Sequence, residues 1–208
     1  MLVVRIPAEL LNHLQSTVDG FFLSDDYWGW DAKQYHALVA DAQQSLRRAD
    51  MASRLADSAR EHLPASYTLG RLYLRAARPN TKGQESVGWH REEFYGSPKG
   101  TLNFWAPVRG VTRENTIRYI PGSEHIPDDE IKLEQAPDAV VAKGSNGNEI
   151  GLLYAPKHIV GGVDFTKAQP LEVPRGSAAI FSGSVIHGAA VNRGPDIRFS
   201  VDFRVYPR

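Results

Sequence analysis

The chain has 208 residues, 42% apolar and 23% charged, a composition that folds around a core and a length that suits one domain. Its 24 lysines and arginines balance its 24 aspartates and glutamates, so bulk charge gives no reason for a nucleic-acid or anionic-membrane partner. Cysteine is absent, which excludes disulfides, thiolate zinc sites, iron–sulfur clusters and cysteine nucleophiles, and leaves metal binding to imidazole and carboxylate.

Met1 to Leu14 shows no basic stretch followed by a continuous apolar run, so it does not read as a signal peptide. No run approaches the roughly 20 apolar residues of a membrane helix, and a cytoplasmic protein is expected. The aromatic residues Phe21-Phe22 and Tyr27-Trp28-Gly29-Trp30 read as packing between a helical lobe and the rest of the chain, with a stacking wall for a ring as the alternative. From Asp31 to Leu63, Tyr35, Leu38, Val39, Ala42, Leu46, Leu55 and Ala59 recur at helical spacing. Arg47, Arg48, Asp50, Arg54, Asp57 and Arg60 fill the solvated side, and Pro64 supplies a stop.

Beyond Pro64 the pattern changes to short strand-like runs broken by glycine and proline. The clearest are Tyr67–Ala77, Thr101–Val108, Thr116–Ile120, Ala178–Phe181, Val185–Val191 and Ile197–Tyr206. Gly144-Ser145-Asn146-Gly147, between Ala139-Val140-Val141 and Ile150-Gly151-Leu152-Leu153, predicts a hairpin turn. The pattern implies a mainly β fold with a helical flank (α+β), a sandwich or barrel. It is read as one domain over 1–208: a helical flank at 1–64 and a β core at 65–208, with an irregular, lid-like excursion at about 125–170.

Chemistry concentrates in two places. In Trp89-His90-Arg91-Glu92, extended backbone would put His90 and Glu92 on one face, where a nitrogen and a carboxylate oxygen can meet. Glu93 would then face away. His187 ends the apolar run Ser184-Val185-Ile186, and eleven residues later Arg198 and Ser200 share a strand face able to grip a carboxylate. Two histidines and one carboxylate form the facial triad of non-haem iron sites, which leaves coordination positions open. An arginine nearby can anchor the far carboxylate of a chelating oxo acid.

These residues together resemble the 2-oxoglutarate-dependent iron oxygenases, in particular their phytanoyl-CoA dioxygenase-like branch. Trp89 to Tyr95 resembles that branch's WHxD/ExxY segment, with Glu92 where Asp is commoner. Thr101 to Val108 resembles the strand that follows. Glu114 to His125 is similar to ENGxLxxxPGSH, with Thr116 in place of glycine, and His187 to Asn192 to HGSxxN. The likeness covers about residues 87–125 and 176–206.

The resemblance implies a double-stranded β-helix (jelly roll, cupin-like) packed by N-terminal helices. It implies Fe(II) held by His90, Glu92 and His187, with 2-oxoglutarate and O2 as cosubstrates. Arg198 and Ser200 would hold the 2-oxoglutarate tail, with Asn103 or Thr101 also touching it. Substrate contacts are expected from Arg91, Tyr95, Trp105, Tyr73 and His158, and Arg71, Tyr73 and Arg75 alternate so as to present polar groups to one face. The implied activity is oxidation, as a hydroxylation or related reaction, of an unactivated C–H in a small metabolite or natural-product intermediate, with succinate and CO2 released. Two other readings stay open: a cupin-type metal enzyme without 2-oxoglutarate, and a non-catalytic ligand-binding β domain. His13, His36 and His62 read as surface or packing residues and His125 as a turn residue.

Overall fold

The computed structural model describes residues 1–23, 27–80, 88–135, 144–152, 157–189 and 191–208. In chain order these form β1 (Leu2–Arg5), α1 (Ala8–Phe21), α2 (Ala32–Arg48), α3 (Met51–Ser58), β2 (Tyr67–Leu69), β3 (Tyr73–Ala77), β4 (Leu102–Arg109) and β5 (Ile117–Tyr119). There follow β6 (Lys132–Gln135), α4 (Asn146–Glu149), β7 (Lys157–Gly161), β8 (Gln169–Pro170), β9 (Ser177–Ser182), β10 (His187–Ala189) and β11 (Arg198–Pro207).

Antiparallel sheets dominate. The largest runs β1-β9-β4-β11-β2, with β3 also paired to β11 beside β2. A three-stranded sheet runs β10-β5-β8, and β6 pairs with β7. Alternation divides the large sheet into two chemically different faces. On β11, Phe199, Val201, Phe203 and Val205 join the main core, together with Phe104, Ala106 and Val108 of β4. The same cluster takes Leu14 and Val18 of α1, Val39 and Leu46 of α2, and Leu55 of α3. Phe104 stacks on Phe203 at 4.6 Å between centroids, and Phe22 meets Phe199 edge-on at 4.7 Å. Phe22 and Tyr27 therefore pack in the core beside Tyr35, on the face opposite the cavity described below. The other face carries Asn103, Trp105, Arg198, Asp202 and Arg204, and there Trp105, Ala179 and Phe181 pack against Ile117 and Leu171 of the smaller sheet's surroundings.

The long helical segment expected from Asp31 to Leu63 is interrupted. Asp31 starts α2 with a capping box shared with Gln34, and Asp50 takes a left-handed conformation (φ 51°) that turns the chain into α3. Aspartate is among the few residues that visit this region readily. Buried Gln43 then ties α2 to the sheet, donating to Glu149 O at 3.0 Å and accepting from Leu74 N–H at 3.0 Å. The run Tyr67–Ala77 divides into β2 and β3 at Gly70-Arg71-Leu72.

The hairpin expected at Asn146-Gly147 does not form. Ser145 accepts from the Asn148 N–H as an N-cap, and Asn146–Glu149 becomes the single helical turn α4. Ile150–Leu152 is not a strand, and 139–141 lies outside the described residues. Within the segment 125–170, β6 and β7 pair antiparallel.

Phe203 is completely buried. Phe203→Ala should lower stability by about 3–5 kcal/mol in urea unfolding without altering any charged group of the opposite face.

Candidate functional site

His90 and His187 are brought together by a single antiparallel bridge. The His90 N–H donates to His187 O at 2.9 Å, the His187 N–H to His90 O at 3.1 Å, and the rings lie 4.3 Å apart. The chain is extended only as far as Arg91; Glu92–Tyr95 is a 3-10 turn rather than the continuation of a strand. The Glu92 N–H donates to Gly183 O at 3.0 Å, and the Gly183 N–H to Thr101 O at 2.7 Å. Gly183 is needed there, because a Cβ would lie 3.1 Å from both Glu92 Cβ and Thr101 O.

Both imidazoles are oriented from behind. Nδ1 of His90 lies 2.7 Å from Gly88 O and Nδ1 of His187 lies 2.9 Å from Val185 O. An Nδ1–H donated to a carbonyl leaves Nε2 with its lone pair, and both Nε2 atoms face Glu92 Oε1, at 3.7 and 3.4 Å. The ligand atoms of His90, Glu92 and His187 all lie within 4.8 Å of one another, all three residues buried, an arrangement able to hold one metal ion. Burial first, and then neighbouring His187, hold the His90 pKa below its ordinary value, so this imidazole is neutral at pH 7. Burial alone would raise the Glu92 carboxyl, but the Arg204 guanidinium beside it outweighs burial and holds it well below the usual carboxylate range.

Arg204 joins this centre to a second carboxylate. It donates to Glu92 Oε1 at 2.7 Å and also pairs with Asp202. Asp202 is gripped from its other side by Arg75, at 2.6 and 3.2 Å. Burial lowers the affinity of Arg204 for its proton, yet Glu92 and Asp202 more than reverse this and raise its pKa. Arg198 is different: burial, then nearby Arg75, pull its guanidinium down to about 10 against Asp202.

A cavity of about 270 Å³ opens on these groups. His90, Glu92, His187, Arg198, Asn103, Tyr95, Trp105 and Tyr73 of the sequence expectations line it, as do Arg71 and Arg75. Ser200 is fully buried on the same β11 face as Arg198. Arg198 Nε, Ser200 Oγ, Asn103 Nδ2 and Trp105 Nε1 are buried with no hydrogen-bond partner among the described residues. Buried donors are normally satisfied, so the three that line the cavity, on Arg198, Asn103 and Trp105, fit an anionic, oxygen-rich ligand there, with Ser200 behind the lining. The Arg198 fork is aimed by its NH1 donating to Asn115 O at 2.8 Å. Asn115 is itself fixed by Gly110 O and by Asn192, whose amide donates to Ala77 O and Asp196 O.

Three expected contacts point elsewhere. Arg91 donates to Ser123 O, to Ile126 O at 2.8 Å and to Asp128, and does not line the cavity. Thr101 donates to Pro98 O at 2.6 Å. The His158 ring packs on Gly88, where an added Cβ would meet it at 2.8 Å. Asp202 and Arg204 escaped notice in the sequence, although the alternation that picks out Arg198 and Ser200 reaches them when carried two steps further. Asn115 and Asn192 stood inside the quoted motifs, but without their partners nothing in the sequence gave them a role.

Residues 11–200 match the profile of the family described as Phytanoyl-CoA dioxygenase (PhyH). Solved structures are also similar in fold. EvdO2 of Micromonospora carbonacea var. aurantiaca, solved with 2-oxoglutarate, aligns at 17% identity with TM-score 0.58, covering 99% of this chain and 85% of that one. AviO1 of Streptomyces viridochromogenes Tue57 aligns at 16% identity with TM-score 0.53, covering 98% and 89%. The non-heme monooxygenase ThoJ aligns at 14% identity with TM-score 0.53, covering 99% and 74%. No protein of curated function matches the sequence significantly. The fold and the family define a non-haem iron oxygenase that depends on 2-oxoglutarate, with Fe(II), 2-oxoglutarate and O2 as its cofactor set. The chain belongs to the phytanoyl-CoA dioxygenase family.

Asp202 offers a test of the charge array away from the triad. Burial would raise its carboxyl, but Arg75 and Arg204 hold it below its ordinary value. A depressed folded-state pKa contributes stability above the unfolded value and loses it as pH falls through the folded one. Asp202→Asn should cost about 3 kcal/mol at pH 7 in urea unfolding. Its deficit relative to the parent protein should narrow as pH falls below about 4.

Proposed function

We propose that His90, Glu92 and His187 ligate Fe(II) and that Arg198 and Ser200 hold the distal carboxylate of 2-oxoglutarate, with Asn103 as a further contact. The observation that carries this reading is the pairing of a buried two-histidine, one-carboxylate cluster with unpartnered donors on one cavity wall. Bound there, iron with 2-oxoglutarate and O2 supplies oxidation of a substrate C–H coupled to loss of CO2 and formation of succinate. The protein's part is positional. Gly88 and Val185 carbonyls fix both imidazole tautomers, Arg204 keeps Glu92 ionised and oriented, and Asn115 O aims the Arg198 fork. Tyr95 donates its hydroxyl to Lys157 O at 2.7 Å, and its ring lies 5.3 Å from His90, walling one side of the cavity.

The reaction we assign is hydroxylation or a related oxidation of a small metabolite or natural-product intermediate. A carboxylate ligand at Glu92 fills the coordination position a halogenase leaves for halide. Tyr95, Trp105 and Tyr73 line the cavity and serve as substrate contacts in this reading. The large and small sheets together are read as the two halves of a double-stranded β-helix flanked by the N-terminal helices, and residues 1–208 as one catalytic domain. Family membership sets aside a cupin-type enzyme without 2-oxoglutarate and a non-catalytic β domain.

Under anaerobic conditions, Fe(II) and 2-oxoglutarate should together give a visible metal-to-ligand charge-transfer band. His90→Ala, Glu92→Ala and His187→Ala should each abolish that band and substrate-dependent succinate release; an active variant at any of the three overturns the assignment. Arg198→Gln should raise the KM for 2-oxoglutarate by roughly 10- to 100-fold through lost charge-assisted hydrogen bonds, and Ser200→Ala by less.

A further inference from the structure

The cavity wall carries more positive than negative charge. Among the described residues lining it, the guanidiniums of Arg71, Arg75, Arg198 and Arg204 face the carboxylates of Glu92 and Asp202. Three of the four guanidiniums are committed. Arg204 lies between Glu92 and Asp202, and Arg75 grips Asp202 while donating to Ile150 O and Gly151 O. Arg198 faces the oxo acid in the reading above. Fe(II) and the 2-oxoglutarate dianion carry equal and opposite charge, so loading both leaves the excess unchanged.

Arg71 is the fourth. Its side chain is 69% exposed, which puts it at the opening of the cavity. Its one ion pair among the described residues is a 3.5 Å approach to Glu149 Oε2. Glu149 is already paired through its other oxygen with Arg47, so it serves Arg71 weakly. Tyr73, Tyr206 and Leu152 supply flat and apolar surface on the same lining, and Asn148 an amide. A guanidinium at the mouth of a concave, positively unbalanced site attracts anions and binds carboxylate or phosphate in a two-point grip.

We propose that the Arg71 end of the cavity is a binding subsite for an anionic group of the substrate, a carboxylate or a phosphate monoester. The substrate body then lies against Tyr73 and Tyr206, with its reacting C–H toward His90, Glu92 and His187. The substrate class is a small organic anion, and Arg71 is the residue that selects it. This rests on the oxygenase reading of the triad for which group lies deeper, but Arg71-dependent anion binding is measurable without it.

The test uses benzoate and phenyl phosphate as probes, with neutral benzamide as control. Each is titrated calorimetrically into the anaerobic Fe(II)·2-oxoglutarate complex and into metal-free protein. At least one anion should bind the complex more tightly than benzamide, with affinity falling as salt rises. Arg71→Gln should weaken that binding about tenfold and flatten the salt dependence, and Arg71→Lys should retain part of it. The charge-transfer band should keep its intensity throughout, because the anion sits apart from Arg198. Whichever of benzoate and phenyl phosphate binds more tightly identifies the anionic group. Equal binding of benzamide, indifference to Arg71→Gln, or loss of the band through displacement of 2-oxoglutarate would each overturn the subsite. Absence of the band before any probe is added would instead overturn the iron and oxo-acid assignment, and the metal-free titrations would still decide the role of Arg71.

Discussion

Taking an ionised side chain out of water costs several kcal/mol even after the protein relaxes around it, and this cavity wall buries a row of them. The structure meets that cost by alternating sign. Glu92 lies against Arg204, Arg204 against Asp202, and Asp202 against Arg75, whose remaining donors reach two backbone carbonyls. No carboxylate in the row is left with only apolar neighbours. The result at one end is a carboxylate held ionised beside two imidazoles whose lone pairs face it. A carboxylate that is already ionised is able to hold a dication with no proton to displace.

The row exists because β11 keeps its register. Ten residues long, β11 pairs with β4 on one edge and with β2 and β3 on the other, with an irregularity between Phe199 and Ser200. A slip of one residue would turn Phe199, Val201 and Phe203 into the cavity and drive Arg198, Asp202 and Arg204 against the helices. Apolar packing on one face and ion pairing on the other therefore specify the same register twice. The stacked rings of Phe104 and Phe203 lie on one side of the sheet, while Asn103 and Arg204 are neighbours on the other.

How much of this is legible in the sequence depends on the range of the interaction that decides it. The clustering of His90, Glu92 and His187 is legible because the first two are close in sequence and His187 sits in a short motif, although Glu92 begins a 3-10 turn and not a strand. Arg198 and Ser200 follow from alternation along one strand. The strand runs Thr101–Val108 and Ile197–Tyr206 stand close to where β4 and β11 form, since their alternation is local. What escapes needs partners far along the chain. Nothing near Arg204 in sequence identifies Glu92, 112 positions away, as its acceptor. Asn146-Gly147 suits a turn on composition alone, but Ser145 offers a cap and Glu149 finds Arg47 across the molecule, so the segment coils instead.

Arg91 shows how a residue beside the proposed ligands His90 and Glu92 can serve them without lining the cavity. Placed between His90 and Glu92, it turns away and donates to the carbonyls of Ser123 and Ile126. The Ser123 hydroxyl in turn accepts from the Ile186 N–H at 2.8 Å, one residue before His187. A single turn of the Pro-Gly-Ser segment thus braces both ligand-bearing backbones from behind, and Gly122 opens it with φ 77°, a conformation glycine adopts without steric cost. The ligands themselves lie on a bridge and a 3-10 turn, elements too short to hold a geometry alone. Rigidity at this site comes from that brace and from the close approach at Gly183, and the strand β11 supplies the charges.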